Sequence, residues 1–70
     1  MLELTRQRER WRWTRRELGA RSNLHPNRVG QIENERVRPY PVELERLARA
    51  LGYAGEPAGL LEEVDDERAG

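Results

Sequence analysis

From Arg15 to Pro39 the chain reads RRELGARSNLHPNRVGQIENERVRP, and the punctuation of that stretch predicts two short helices meeting at a tight corner. Thr14 is a good N-cap, with a hydroxyl free to accept one of the backbone N–H groups that a first helical turn leaves without a partner. The helix it opens is expected over 15–22, with Leu18 and the small Gly19 on one face. Asn23 tolerates a left-handed backbone better than most residues, so it is expected to turn the chain while Leu24 tucks inward. Pro26 suits the first position of a second helix, because the N–H it lacks would be unpaired there anyway. That helix is expected over 26–34, its buried side marked by Val29 and Ile32. Asn27, Arg28 and Gln31 are left outside, three side chains with hydrogen-bonding ends and no apolar reason to be there.

The flanking segments read as further helices. Residues 2–11, LELTRQRERW, predict one with Leu4, Arg8 and Trp11 roughly on one face. Pro41 opens another over 41–51, where Val42, Leu44, Leu47, Ala48 and Leu51 form the strongest amphipathic pattern in the chain, and Gly52 ends it. A fifth helix is expected over 57–65, with Leu60, Leu61 and Val64 packing either on the same core or, as the preferred reading, on a second copy of the chain. The closing DDERAG reads as a frayed acidic tail. The expected fold class is all-α: a bundle of four or five helices forming one domain over 1–64, with the tail at 65–70.

Composition narrows what such a bundle can do. A chain of 70 residues buries only about 60% of the surface its unfolded form exposes, so its core is thin and a dimer would help it. There is no cysteine, no apolar leader and no run near the roughly 18 apolar residues of a membrane span, which together predict a soluble cytoplasmic chain with no membrane contact. The net charge of zero hides a polarity: residues 1–38 hold ten Arg and five Glu, while residues 39–70 hold three Arg against eight Asp or Glu. With no Lys, almost every base is a planar, bidentate guanidinium; a GC-rich genome would give the same bias. One His, one Ser, no Cys and Asp only near the end leave no nucleophile–base pair, metal cluster or phosphate loop, so an enzyme is not expected, nor a cofactor, a metal or a small-molecule ligand. Trp11 and Trp13 read as stacking platforms for unpaired bases or as core, and core is preferred because each can bury on the order of 200 Å², with Trp11 the half-exposed member of the pair.

The spacing of Leu4, Arg8, Trp13, Thr14, Arg15, Leu18, Gly19, Asn23, Val29, Ile32, Glu33, Asn34, Glu35, Arg38, Pro39, Leu44, Leu47, Ala48 and Leu51 resembles that of the Cro/repressor-type, or xenobiotic-response-element, helix-turn-helix regulators over about residues 2–53. The resemblance implies a lambda-repressor-like fold and sequence-specific binding of double-stranded DNA by a homodimer, with residues 26–34 in the major groove. It also implies a small transcriptional regulator, a repressor by preference, from a bacterium, an archaeon or a phage. An ion pair between Arg8 and Glu33 is implied, against the alternative of two solvated charges.

For DNA, the resemblance makes Arg15, with Arg16 beside it, a phosphate clamp at the start of its helix, the alternative being surface charge or a pair with Glu17. Asn34, Arg36 and Arg38 fall on the stretch that lies along the sugar-phosphate backbone in the resembling proteins. Asn27 and Gln31 carry amides that match adenine, and Arg28 a fork that matches guanine or holds a phosphate. Several positions depart from the family. Gly19 replaces an Ala, His25 a Ser or Thr cap, and Pro26 a polar reader. Glu35 replaces the usual Gly, which leaves Asn34 as the expected left-handed cap. Gly30 implies a close approach, by the preceding helix or by DNA. The rival function is a protein-interaction module of the same fold, antitoxin-like or an adaptor, that no longer reads DNA.

Overall fold

Four helices, α1 (Glu3–Arg10), α2 (Arg15–Ser22), α3 (Pro26–Glu33) and α4 (Pro41–Leu51), and a 3-10 turn (Pro57–Leu61) follow one another in the computed structural model, which describes residues 1–65. Each helix is stopped the same way. Arg12, Asn23, Glu35 and Gly52 take left-handed backbone, with φ of 61, 60, 59 and 66°. The N–H of the following residue then reaches the carbonyl five positions back, as in Trp13 to Arg8 at 3.2 Å, Leu24 to Gly19 at 2.8 Å, Arg36 to Gln31 at 2.9 Å and Tyr53 to Ala48 at 2.9 Å. This arrangement satisfies carbonyls that a helix end would otherwise leave open. The left-handed residue after α3 is therefore Glu35 and not Asn34, which stays near helical geometry at φ −86° and ψ 5°.

The helix starts are equally local. Thr14 Oγ1 accepts from Glu17 N at 3.0 Å, and His25 Nδ1 accepts from Asn27 N at 3.0 Å, so the imidazole does the work of a hydroxyl cap. At α4, Glu43 Oε1 reaches back to accept from Tyr40 N at 2.8 Å. Leu2, Leu4, Leu18, Val29, Ile32, Leu44, Leu47, Ala48, Leu51 and Leu60 are buried together as the core. Each large aliphatic among them contributes about 1.5–3 kcal/mol by leaving water. Gly19 sets how closely α2 meets the corner: a Cβ there would lie 2.6 Å from the Leu24 carbonyl oxygen and 3.3 Å from Pro26 N.

Two expectations are corrected. The segment after α4 is not an α-helix to residue 65; it makes the 3-10 turn and then runs extended, pairing with the start of the chain through Glu3 N to Glu62 O and Val64 N to Met1 O, both 2.8 Å, about a bridge between Leu2 and Glu63. The apolar spacing at 60, 61 and 64 fits a helix, but Leu60 reaches the core from a single turn. Leu60 is fully buried within its own protomer and is thereby removed as a dimer contact, while Leu61 and Val64 are half-buried. Trp11 is 52% exposed and lies outside the core. It stacks on Trp13 with ring centroids 4.9 Å apart, donates Nε1–H to the Leu51 carbonyl at 2.9 Å, and leaves Trp13 to pack on the core. The acidic tail lies, from residue 66 onward, outside the described residues. Among those described, no helix is long and apolar enough to cross a membrane.

Candidate nucleic-acid interface

The corner at Asn23 aims α3 so that Val29, Ile32 and the Glu33 carboxylate face inward while Asn27, Gln31 and Asn34 are exposed. Asn27 and Gln31 are four residues apart and so stand on one face of the helix. Beside them runs an open cleft lined by Arg15, Pro26, Asn27, Gly30, Gln31, Asn34 and Arg36. It brings together three amides and two guanidinium groups from three successive segments of the chain.

Both ends of α3 are tied by arginine–glutamate pairs. At its end, Arg8 grips Glu33 with two bonds, Nε to Oε2 at 2.7 Å and Nη2 to Oε1 at 3.1 Å, while its Nη1 donates to the Trp13 carbonyl at 2.7 Å. Arg15 Nε donates to the same carboxylate, Oε1, at 3.0 Å. Near its start, Arg28 makes a two-bond fork with Glu43 of α4, Nε to Oε2 and Nη2 to Oε1, both 2.9 Å. The hydrogen bonds from Arg28, together with the one from Tyr40 N, hold the Glu43 carboxyl below the usual carboxylate range against the opposing effect of burial. The hydrogen bond to Glu43 likewise raises Arg28 above the ordinary arginine value.

Residues 2–61 match the profile of a family described as "Helix-turn-helix domain". The chain belongs to this helix-turn-helix family. No curated protein and no solved structure matches it. A helix-turn-helix domain points to DNA binding, and in this one α2 and α3 are the two helices of the motif, with Asn23 and Leu24 between them.

Within the helix-turn-helix domain, the residues singled out from the sequence separate into three groups. Asn27, Gln31, Asn34, Arg15 and Arg36 share the cleft. Arg16 is exposed on the first turn of α2, and Arg38 is exposed beside a neighbouring depression lined by Leu2, Ile32, Val37, Pro39 and Leu61. Arg28 is set apart: both edges of its fork that face Glu43 are occupied, and its guanidinium lies 5.7 Å from the Tyr40 ring centre. A guanidinium so engaged has committed two of its five donors, and its place on the polar face did not signal that. Sequence reasoning missed Glu43 altogether in this role. Its position three residues after Tyr40 signals a capping box, but nothing local signals an arginine 15 residues away. Arg21, also missed, lies over the Trp13 ring at 4.3 Å and extends the tryptophan stack.

Proposed function

We propose that this protein binds double-stranded DNA sequence-specifically with α3 in the major groove, as a small transcriptional regulator and by preference a repressor. Asn27 and Gln31 read base edges, their amides pairing with adenine N6 and N7. Arg15, Arg16, Asn34, Arg36 and Arg38 hold phosphates on either side and set the register without reading sequence. The observation that carries this reading is the pair of exposed amides on one face of α3, flanked in a single cleft by Arg15 and Arg36. Arg28 is left out of base reading because Glu43 holds its fork. Binding as a two-fold dimer is part of the proposal, with Leu61 and Val64 the remaining apolar candidates for the contact.

The test is selection of bound duplexes from a random pool at near-physiological salt. Enrichment of a two-fold symmetric motif with half-sites about 10 base pairs apart is the expected result. An unsymmetric motif would keep the reading and remove the dimer. A folded protein that enriches nothing would replace the reading with the protein-interaction module. Gln31→Ala is expected to relax base preference at one position by about 1–3 kcal/mol. Arg36→Ala should weaken all duplexes alike and flatten the salt dependence by about one unit of slope.

A further inference from the structure

Gly30 sits in the middle of α3, where glycine weakens a helix and where nothing about the helix itself calls for it. The neighbour that needs the space is Arg15. A Cβ on residue 30 would lie 3.3 Å from Arg15 Nη1, 3.7 Å from its Cδ and 3.8 Å from its Cζ. Moving the guanidinium aside, even by a few tenths of an ångström, strains the bond of its Nε to Glu33 at 3.0 Å. Glu33 is itself fixed: its side chain is only 1% exposed, and Arg8 holds both carboxylate oxygens from the other side. Arg15 nevertheless remains 44% exposed, with Nη2 3.5 Å from Asn34 Oδ1 and its outer edge on the cleft.

We propose that Gly30 and Glu33 are positioning residues for Arg15: the glycine leaves the seat in which the guanidinium lies across α3, and the buried carboxylate fixes its rotation. A guanidinium has five N–H donors in a rigid fork, so anchoring Nε–H on Glu33 leaves the Nη donors, one of them given to Asn34 Oδ1, on the cleft side and already aimed when a phosphate arrives. Ordering this side chain before binding removes an entropy cost from the binding step. The inference rests on the DNA-binding reading above and deepens it.

The experiment is titration of a fluorescent mixed-sequence duplex across a salt series, alongside thermal melts, with the parent, Gly30→Ala, Arg15→Ala, the double variant and Arg15→Lys. Gly30→Ala is expected to melt no lower than the parent, since alanine favours the helix, yet to bind about ten-fold more weakly, the worth of one charge-assisted hydrogen bond. Its salt slope should fall by about one phosphate contact. In the Arg15→Ala background the Gly30→Ala change should have no further effect. Arg15→Lys should fall to the level of Gly30→Ala, because a single ammonium nitrogen that bonds Glu33 is drawn away from the phosphate. Parental affinity and slope in Gly30→Ala would overturn the proposal, as would a loss that persists without Arg15, which would mean that DNA itself approaches Gly30. Should Gly30→Ala fail to fold, a lysine variant that binds like the parent would overturn it. A parent that binds no duplex at any salt removes the DNA reading, and the proposal with it.

Discussion

The start and the end of α3 are fastened by the same chemistry to opposite effect. At the end, one carboxylate serves two arginines, and its side chain is 1% exposed; near the start, one carboxylate serves one arginine, and its side chain is 11% exposed. Glu33 thus leaves a surplus of positive charge, carried by Arg15 toward the cleft. Glu43 leaves none, because it neutralises Arg28 and takes two of its donors. Counting arginines along α3 and its neighbours therefore misplaces the positive potential. The charge that faces outward beside the exposed side of α3 comes from α2 and from the loop after α3, and α3 itself presents the neutral amides of Asn27 and Gln31.

The contrast breaks or holds first on Arg8→Ala. Removing this arginine leaves the Glu33 carboxylate buried with Arg15 alone and leaves the Trp13 carbonyl without its donor. The expected loss of stability is about 3 kcal/mol in urea unfolding at neutral pH, from the lost charge-assisted bonds and the orphaned Trp13 carbonyl, and short of the full cost of an unpaired buried charge because Arg15 stays on Glu33. A loss below about 1 kcal/mol would make Glu33 no different from a surface pair and erase the distinction between the two ends.

Glu43→Gln tests the other end and is expected to cost less. Glutamine can still accept from Tyr40 N, so the substitution removes the charge that Arg28 holds and spares the cap. The folded-state pKa of Glu43 lies below its ordinary value of 4.5, mainly because of the Arg28 hydrogen bonds. Its charge therefore adds stability that is fully present above about pH 4.5 and is lost as pH falls through the lower folded value. Melting curves of the parent and of Glu43→Gln should differ at pH 7 and converge as the pH is taken below 4.5. A gap that stays constant down to pH 3 would show that the charge is not what fastens α3 to α4.

What was legible in the sequence follows the range of the interaction involved. The α2–α3 corner and the bounds of α4 are written in residues that act on their own backbone, Thr14, Asn23, Pro26, Pro41 and Gly52, and a single sequence shows these directly. The segment at 57–65 was misread because Leu60, Leu61 and Val64 have a helical spacing, whereas the outcome was decided by pairing with Leu2 across the whole chain. The Arg28–Glu43 fork was not legible for the same reason: the polarity of Arg28 is local information and its partner on α4 is not. The amides Asn27 and Gln31 needed no partner to be found, since exposure of a polar stripe follows from the burial of Val29 and Ile32 beside it.

The smallest expected effect is a gain, and it sharpens the comparison from the end of α3. Of the four left-handed residues that stop helices, Gly52 carries no Cβ and Asn23 is among the better tolerated side chains; Glu35 and Arg12 are neither. The firmly tied end of α3 therefore carries a strained stop, held in place by Glu35 N to Ile32 O at 3.0 Å and Arg36 N to Gln31 O at 2.9 Å. Glu35→Gly keeps both bonds and relieves the strain, with part of the gain offset by the greater freedom of glycine in the unfolded chain. A net stabilisation of about 1 kcal/mol is expected, seen as a rise in melting temperature of about 4–8 °C for a chain this size. A lower melting temperature would instead mean that the Glu35 side chain contributes more to the stop than its backbone costs. The tight hold on Glu33 would then extend one turn further toward Arg36, the side of the cleft on which phosphate binding is proposed.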